Sequence, residues 1–184
     1  MTIRKWKKVT SKTVYKNPWF SVREDIIVKP NGQKGIYGVL DKHQGVFIVA
    51  ADASGAIYFI KQHRYPIQKI ICELPAGVIK KGEWRKGAAM ELFEETGIQA
   101  KHFRRLGGFF TGAGHETTYI HAVVATGLNI SRLGTRHQDH NEAINTIVRY
   151  TPRQLQTKLR NGAIECGISL AALYLYSSRT GVDF

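Results

Sequence analysis

The chain has 184 residues, 43% of them hydrophobic, which is enough to bury one good core and is typical of a single domain. It has no run of about eighteen apolar residues and no apolar stretch behind its charged N-terminus. These features exclude a membrane-spanning helix and a secretory signal, so a cytoplasmic protein is expected. The formal net charge of +13 favours anionic partners such as nucleotides, nucleic acid or acidic membrane surfaces, without choosing among them.

The first 43 residues are predicted to form β structure. Residues 9–15 and 20–28 are rich in β-branched and aromatic side chains, and a Pro-Asn-Gly turn then leads into an apolar segment at 35–40. This pattern predicts an N-terminal antiparallel hairpin. We expect this N-terminal β region, residues 1–43, to form one structural unit with residues 44–184.

Residues 44–184 alternate between strand and helix patterns. Strands are predicted at 45–50, 56–60, 70–74, 103–110, 118–125 and 143–150, and helices at about 86–96, 152–159 and 169–178. Gly97 is placed to end the first helix, and Thr151 is placed to cap the second. The order of elements predicts an α/β sandwich with one long polar loop at 129–141, and such loops often carry function.

Three glutamates on the first predicted helix carry the strongest chemical signal. Glu91, Glu94 and Glu95 stand at positions i, i+3 and i+4, so their side chains are neighbours on the helix surface. A solvated acidic face would show the same spacing, and that alternative stays open on spacing alone. Carboxylate oxygens concentrated in this way suit Mg²⁺ or Mn²⁺, which bind through a few carboxylates together with substrate phosphates and water.

Segment 77–98 resembles the nudix box, which in that family reads Gly, five residues, Glu, seven residues, Arg-Glu-apolar-x-Glu-Glu-x-Gly-apolar. The matching residues are Gly77, Glu83 after five residues, and then Glu91-Leu92-Phe93-Glu94-Glu95-Thr96-Gly97-Ile98. Three further segments are similar to the ADP-ribose pyrophosphatase branch of that family: Asn17-Pro18-Trp19-Phe20, Gln62-His63-Arg64-Tyr65-Pro66 and Glu73-Leu74-Pro75-Ala76-Gly77. The resemblance covers nearly the whole chain. It implies a nudix-type α/β/α sandwich with a mixed β-sheet and an N-terminal antiparallel hairpin.

The resemblance also implies a metal site. In this family pattern Glu91, Glu94 and Glu95 would ligate divalent ions, Mg²⁺ or Mn²⁺, and the backbone carbonyl of Ala76 would be a further ligand. The ions would polarise the diphosphate of the substrate and activate a water for attack at phosphorus. Glu94 and Glu95 are therefore expected to be catalytic as well as metal-binding.

The resemblance implies roles for residues outside the box. Arg64 is expected to contact the substrate, because a planar guanidinium suits a phosphate or a ribose. Tyr37, and less directly Trp19, is a candidate to stack on the base, and packing in the core or at a dimer interface is the other interpretation of both residues. Glu142, at the end of the long polar loop, is the candidate catalytic base, with Asp139 as the weaker alternative. A loop carboxylate without a role remains the other interpretation of Glu142.

The box departs from the family pattern in two ways. Six residues, not seven, follow Glu83, and Met90 stands where the family has an arginine. A deletion inside a helix would rotate the upstream residues by about 100 degrees. Because Gly87 weakens helix formation, we expect the helix to begin late and Glu83 to be displaced. The three glutamates keep their spacing, so metal binding is expected to survive.

The leading hypothesis is a metal-dependent pyrophosphohydrolase that cleaves the diphosphate of ADP-ribose or a related nucleoside diphosphate sugar. The products would be a nucleoside monophosphate and a sugar phosphate. One alternative is a degenerate nudix domain that binds a nucleotide with little or no hydrolysis. Another is a basic nucleic-acid-binding module, which is disfavoured because the sequence shows no pattern of a recognition helix or of an aromatic stacking platform. No membrane partner is expected, and the resemblance implies a homodimer packed through the N-terminal region.

Overall fold

The computed structural model describes residues 5–134 and 144–184. The chain divides into two compact units. The N-terminal unit comprises Met1–Gln44 and Phe110–Tyr119, and the sandwich unit comprises Gly45–Phe109 and Ile120–Phe184.

The N-terminal unit is built on a three-stranded antiparallel sheet. Its strands are β1 (Lys7–Lys16), β2 (Phe20–Val28) and β3 (Lys34–Lys42), in the order β1-β2-β3. The turn between β1 and β2 is held by the Asn17 side chain, which accepts hydrogen bonds from the backbone N–H groups of Trp19 and Phe20. The predicted N-terminal antiparallel hairpin is confirmed, and it includes the third strand.

The described residues of the sandwich unit form a seven-stranded mixed sheet and three helices. The strands are β4 (Gln44–Ala51), β5 (Ile57–Arg64), β6 (Lys69–Glu73), β7 (Ala76–Ile79), β8 (Gln99–Phe110), β9 (Tyr119–Asn129) and β10 (Ile144–Tyr150). The helices are α1 (Trp84–Thr96), α2 (Pro152–Arg160) and α3 (Gly167–Thr180), and a short 3-10 turn lies at Tyr65–Ile67. The main path of the sheet runs β10-β5-β4-β9-β8, with β6 on β5 and β7 on β4. Strand β4 is parallel to β9 and antiparallel to β5, as expected of a mixed sheet.

The sheet is covered on both faces. Successive side chains of a strand point to opposite sides, so alternate residues of β4 belong to two different cores. In β4, Val46, Ile48 and Ala50 pack in a core with Ala88 and Leu92 of α1. The alternate residues of β4 belong to a second core, which includes buried side chains of α2 and α3. The members of this second core on these elements are Phe47, Val49 and Ala51 of β4, Leu155 of α2, and Ala172, Leu173 and Tyr176 of α3. The predicted α/β/α sandwich is confirmed.

Helix α1 begins earlier than predicted. It starts at Trp84, directly after Glu83, and ends at Gly97, whose φ of 75° closes the helix in the left-handed conformation. The prediction of a late start is wrong, because Gly87 lies inside the helix and does not delay its start. A Cβ at Gly87 would lie 2.3 Å from Cγ2 of Ile79, so the missing side chain lets α1 approach β7 closely. Strand β7 was not among the predicted strands.

Helix α2 begins at the predicted residue, and α3 begins two residues earlier than predicted, at Gly167. Thr151 and Gln154 form a reciprocal capping box at the start of α2, and Pro152 occupies its first turn. Helix α3 begins after Cys166, whose sulphur accepts a hydrogen bond from the N–H of Ser169 at 3.5 Å. In the described ranges, none of the helices has the length and apolarity needed to cross a membrane.

Candidate active site

Two glutamates of α1 converge on the backbone of one short segment, residues 73–77, which we call the 73–77 segment. The Glu95 side chain is buried, and its Oε2 accepts a hydrogen bond from the N–H of Ala76 at 2.8 Å. Glu91 is partly exposed and lies over Gly77. A Cβ at Gly77 would come within 2.0–2.2 Å of the Glu91 carboxyl atoms. Glycine at this position is therefore what lets the Glu91 carboxylate reach the backbone.

Glu94 lies in different surroundings from its two neighbours. It is exposed and lines a groove of about 420 Å³ along α1. The groove is also lined by Lys86, Met90, Phe93 and Phe103. The structure thus brings Glu91 and Glu95 together at the 73–77 segment and leaves Glu94 on the groove side. Met90, 48% exposed, occupies the groove side as well.

The donor set at the 73–77 segment suits a hard divalent ion. It consists of carboxylate oxygens, the ligand type that Mg²⁺ and Mn²⁺ prefer, and Gly77 leaves the Glu91 carboxylate space that a Cβ would fill. Within residues 5–134 and 144–184, no three His, Cys, Asp or Glu side chains are gathered closely enough to hold an ion by themselves. Mg²⁺ sites of this chemistry normally take one or two carboxylates and complete their shell with water and substrate phosphate.

Arg64 stands at the end of β5. Because side chains alternate along a strand, Arg64 lies on the same face as Tyr58, which packs in the core shared with α1. Its Nε and Nη2 both donate to Oε2 of Glu73, at 2.8 and 2.6 Å. The predicted substrate-binding arginine is therefore tied directly to the 73–77 segment.

The 73–77 segment is also held from the side of α3. The N–H of Leu74 donates to Oγ of Ser169 at 3.0 Å, and Ser169 is fully buried. Burial raises the pKa of the neighbouring Cys166 thiol, and a contact with the Glu73 carboxylate acts in the same direction, against hydrogen bonds from Ser169. The carbonyl of Pro75 accepts a hydrogen bond from the N–H of Ile48 at 2.9 Å. The sequence predictions assigned no role to Glu73 or Ser169, although Glu73 lies in one of the segments that resemble the ADP-ribose pyrophosphatase branch.

Tyr37 and Trp19, the predicted base-stacking residues, belong to the N-terminal unit. Tyr37 contacts the ring of Trp6 edge-on, with ring centroids 5.6 Å apart, and its hydroxyl donates to the carbonyl of Gly114. It lines a hollow of about 410 Å³ together with Trp6, Lys8 and Asp25. Trp19 is 74% exposed and lines a separate hollow, so the two aromatic side chains do not share one pocket.

Glu116 is a further ordered carboxylate of the N-terminal unit, and the predictions did not include it. Its side chain accepts hydrogen bonds from the hydroxyls of Thr111 and Thr118 and lies 3.5 Å from Nζ of Lys42. Although burial acts in the opposite direction, these hydrogen bonds and the Lys42 charge lower the pKa of Glu116. The arrangement fixes the loop between β8 and β9.

The candidate catalytic base cannot be placed against this geometry. Glu142 and its alternative Asp139 lie outside the described residues. Their roles, and the metal-ligand role of the Ala76 carbonyl, stay predictions.

Two family profiles match consecutive parts of the chain. Residues 6–40 match the profile described as the nucleoside diphosphate sugar hydrolase N-terminal domain, and residues 41–165 match that of the NUDIX domain. The chain is 34% identical over 132 residues to an ADP-ribose pyrophosphatase of Bacillus subtilis (strain 168), covering 67% of this chain and 70% of that protein. It is 30% identical over 176 residues to an ADP-ribose pyrophosphatase of Mycobacterium tuberculosis, covering 94% and 84%.

A further relative and a solved structure are also similar to the chain. The chain is 31% identical over 124 residues to a methanol dehydrogenase activator of Bacillus methanolicus, covering 67% of each. A crystal structure of an ADP compounds hydrolase shares its fold, with a TM-score of 0.84 at 20% identity over 97% of this chain and 95% of that one. The family profile, the relatives and the convergence of Glu91 and Glu95 on the 73–77 segment agree, and the chain therefore belongs to the nudix hydrolase family, where it is similar to the ADP-ribose pyrophosphatases.

Proposed function

We propose that this hydrolase cleaves the diphosphate of ADP-ribose or a related nucleoside diphosphate sugar in a reaction that requires Mg²⁺ or Mn²⁺. The products are a nucleoside monophosphate and a sugar phosphate. The observation that carries the proposal is the convergence of Glu91 and Glu95 on Ala76 and Gly77. The names of two relatives and the N-terminal profile favour a nucleoside diphosphate sugar as the substrate class.

The residues of the proposed site are assigned to metal binding or to substrate binding. Glu91, Glu94 and Glu95, with the Ala76 carbonyl, would hold the divalent ion, which when bound supplies positive charge to the diphosphate and lowers the pKa of water. The hydrogen bond from Ala76 orients the Glu95 carboxylate. Arg64 would bind an anionic or hydroxyl group of the substrate.

Three residues outside this cluster complete the proposal. Tyr37 and Trp19 would contact the base, and Glu142 would accept the proton of the attacking water. General bases act in this way when they lie within hydrogen-bond reach of the water.

The degenerate-domain alternative is not favoured. Helix α1 is continuous from Trp84 to Thr96, and the six residues between Glu83 and Met90 all lie within it, so the shorter box changes the position of Glu83 and leaves the spacing of the glutamates intact. Met90 lies on the groove side, away from the contacts of Glu91 and Glu95 with the 73–77 segment. The loss of the family arginine therefore leaves those contacts in place. No specific observation in the described residues favours the nucleic-acid-binding alternative.

We also propose a homodimer formed through the N-terminal unit. All ten residues of β1 are exposed, and β1 is an edge strand of its sheet. An edge strand offers unpaired N–H and C=O groups, and β1 adds the exposed apolar side chains of Val9, Val14 and Tyr15. Sedimentation equilibrium should give twice the mass of the chain, whereas a monomer at micromolar concentration contradicts the proposal.

The test of the enzymatic proposal is a substrate panel. The purified chain is incubated with ADP-ribose, nucleotide sugars and dinucleotides, with Mg²⁺, with Mn²⁺ and with excess chelator, and nucleoside monophosphate release is followed by chromatography. We expect turnover of ADP-ribose or a nucleotide sugar that chelator abolishes. Folded protein that turns over no member of the panel with either metal would contradict the proposal.

A further inference from the structure

Glu73 is a buried carboxylate in the sandwich unit, with only 4% of its surface exposed. A buried charge is costly unless it is paired, and a buried ion pair can often be replaced by apolar residues without loss of stability. Its pairing with Arg64 is therefore weak evidence for a purely stabilising role. The position of the pair next to the site points to a role in binding.

The pair is asymmetric in its exposure and in its hydrogen bonds. The Arg64 side chain is 41% exposed, whereas that of Glu73 is 6% exposed. Nε and Nη2 of Arg64 both bind the single oxygen Oε2 of Glu73, so one edge of the planar guanidinium is fixed. Nη1 takes no part in these two bonds. The carboxylate thus holds the inner edge of the guanidinium, and part of the group remains accessible.

The carboxylate that holds Arg64 is itself rigidly placed. Glu73 begins the 73–77 segment, which Ser169 binds at Leu74, Ile48 binds at Pro75 and Glu95 binds at Ala76. These hydrogen bonds come from α3, β4 and α1. Arg64 and the α1 glutamates are therefore positioned by opposite ends of the same five residues.

We propose that Glu73 is a positioning residue for substrate binding: it holds the Arg64 guanidinium in one orientation, so that its accessible edge meets an anionic or hydroxyl group of the diphosphate substrate. A long arginine side chain that is already ordered loses less conformational entropy when the substrate binds. This inference rests on the proposed function. It adds that the affinity of Arg64 for substrate depends on a buried residue that does not touch the substrate.

The test is a double-mutant cycle on steady-state kinetics. The variants are Glu73→Gln, Arg64→Ala and the two combined, assayed with the best substrate of the panel. We expect Glu73→Gln to raise KM roughly tenfold with a smaller change in kcat, since the loss falls on binding. In the Arg64→Ala background, Glu73→Gln should change kcat/KM by less than about twofold, because its effect passes through Arg64.

Matched variants keep the test decisive. Glu165→Gln removes an exposed carboxylate that binds Lys69 of β6 at 3.1 Å, and it should leave KM unchanged. If Glu73→Gln does not fold, Glu73→Asp keeps the charge and withdraws the carboxylate by one carbon, and it should still raise KM about threefold or more.

The outcomes separate this inference from the proposed function. An inactive wild-type enzyme overturns the proposed function itself. An active wild type with unchanged KM in folded Glu73→Gln or Glu73→Asp overturns the positioning role alone. Additive effects of Glu73→Gln and Arg64→Ala on kcat/KM would also overturn it, because a merely structural residue acts independently of Arg64.

Discussion

The two sides of α1 differ in how tightly their acidic residues are held. On one side, Glu95 is buried against the N–H of Ala76 and Glu91 occupies the space above Gly77. On the groove side, Glu94 and Met90 are exposed and line an open groove. The departure of Met90 from the family pattern falls on the loosely held side. A change in a motif is therefore best judged by the contacts of the altered residue.

Glu95→Gln should give the largest effect on activity. The amide oxygen can still accept the Ala76 N–H, so the fold should survive, but the charge proposed to bind the divalent ion is lost. We expect kcat to fall on the order of a hundredfold or more. Kinetics at saturating Mg²⁺, with circular dichroism to verify folding, is the measurement. Glu94→Gln is the comparison on the groove side, and an equal or larger loss there would refute the distinction between the two sides.

Gly77→Ala should cost activity more than stability. Its new Cβ would collide with the Glu91 carboxyl group, which is the end of a flexible side chain and can move away. We expect a loss of about tenfold in kcat/KM from the displaced carboxylate, with a change in unfolding free energy within about 1 kcal/mol. Gly167→Ala, where a Cβ meets nothing within 4 Å, is the matched control. Full activity of Gly77→Ala would count against the placement of Glu91.

Gly87→Ala should show the opposite pattern. The new Cβ would meet Cγ2 of Ile79, a buried side chain of the core under α1, and must push the helix away from β7. Overpacking of this kind costs about 1–3 kcal/mol, more than the gain in helix propensity from alanine. Urea denaturation measures the difference. A more stable Gly87→Ala protein would show that the close approach of α1 to β7 is not required.

Met90→Arg should have the smallest effect. It restores the family arginine, but at a position that is half exposed on the groove side. Screening by solvent limits the attraction between an exposed cation and Glu94, so kcat/KM should change by less than about threefold. A gain of tenfold or more in kcat/KM would show instead that the missing arginine limits catalysis.

The sequence predicted the parts of the fold that depend on local pattern. The strand at 45–50, the Thr151 cap and the Gly97 terminus are short-range signals, and all three are present in the structure. Strand β7 was missed because it has four residues and begins with Ala76 and Gly77, which follow Pro75 in a sequence typical of a turn. Gly87 was misjudged because its partner, Ile79, meets it only after α1 packs on the sheet.

The same distinction applies to the candidate site. Glu91 and Glu95 could be chosen from motif spacing, since that spacing is fixed by the helix. The ion pair of Arg64 with Glu73 and the hydrogen bond from Leu74 to Ser169 could not, because they depend on how strands and helices are brought together. Residues that position the proposed substrate-binding and metal-binding groups are therefore harder to find from sequence than those groups themselves.

The most direct test of the account is the position at which water enters the substrate. ADP-ribose is hydrolysed by the wild-type enzyme with Mg²⁺ in water enriched in oxygen-18, and the masses of the products are measured by mass spectrometry. The account predicts AMP and ribose 5-phosphate, with one labelled oxygen in the phosphate of one product, because water attacks phosphorus. Release of free adenine or ADP, or a label outside the phosphate groups, would contradict cleavage of the diphosphate.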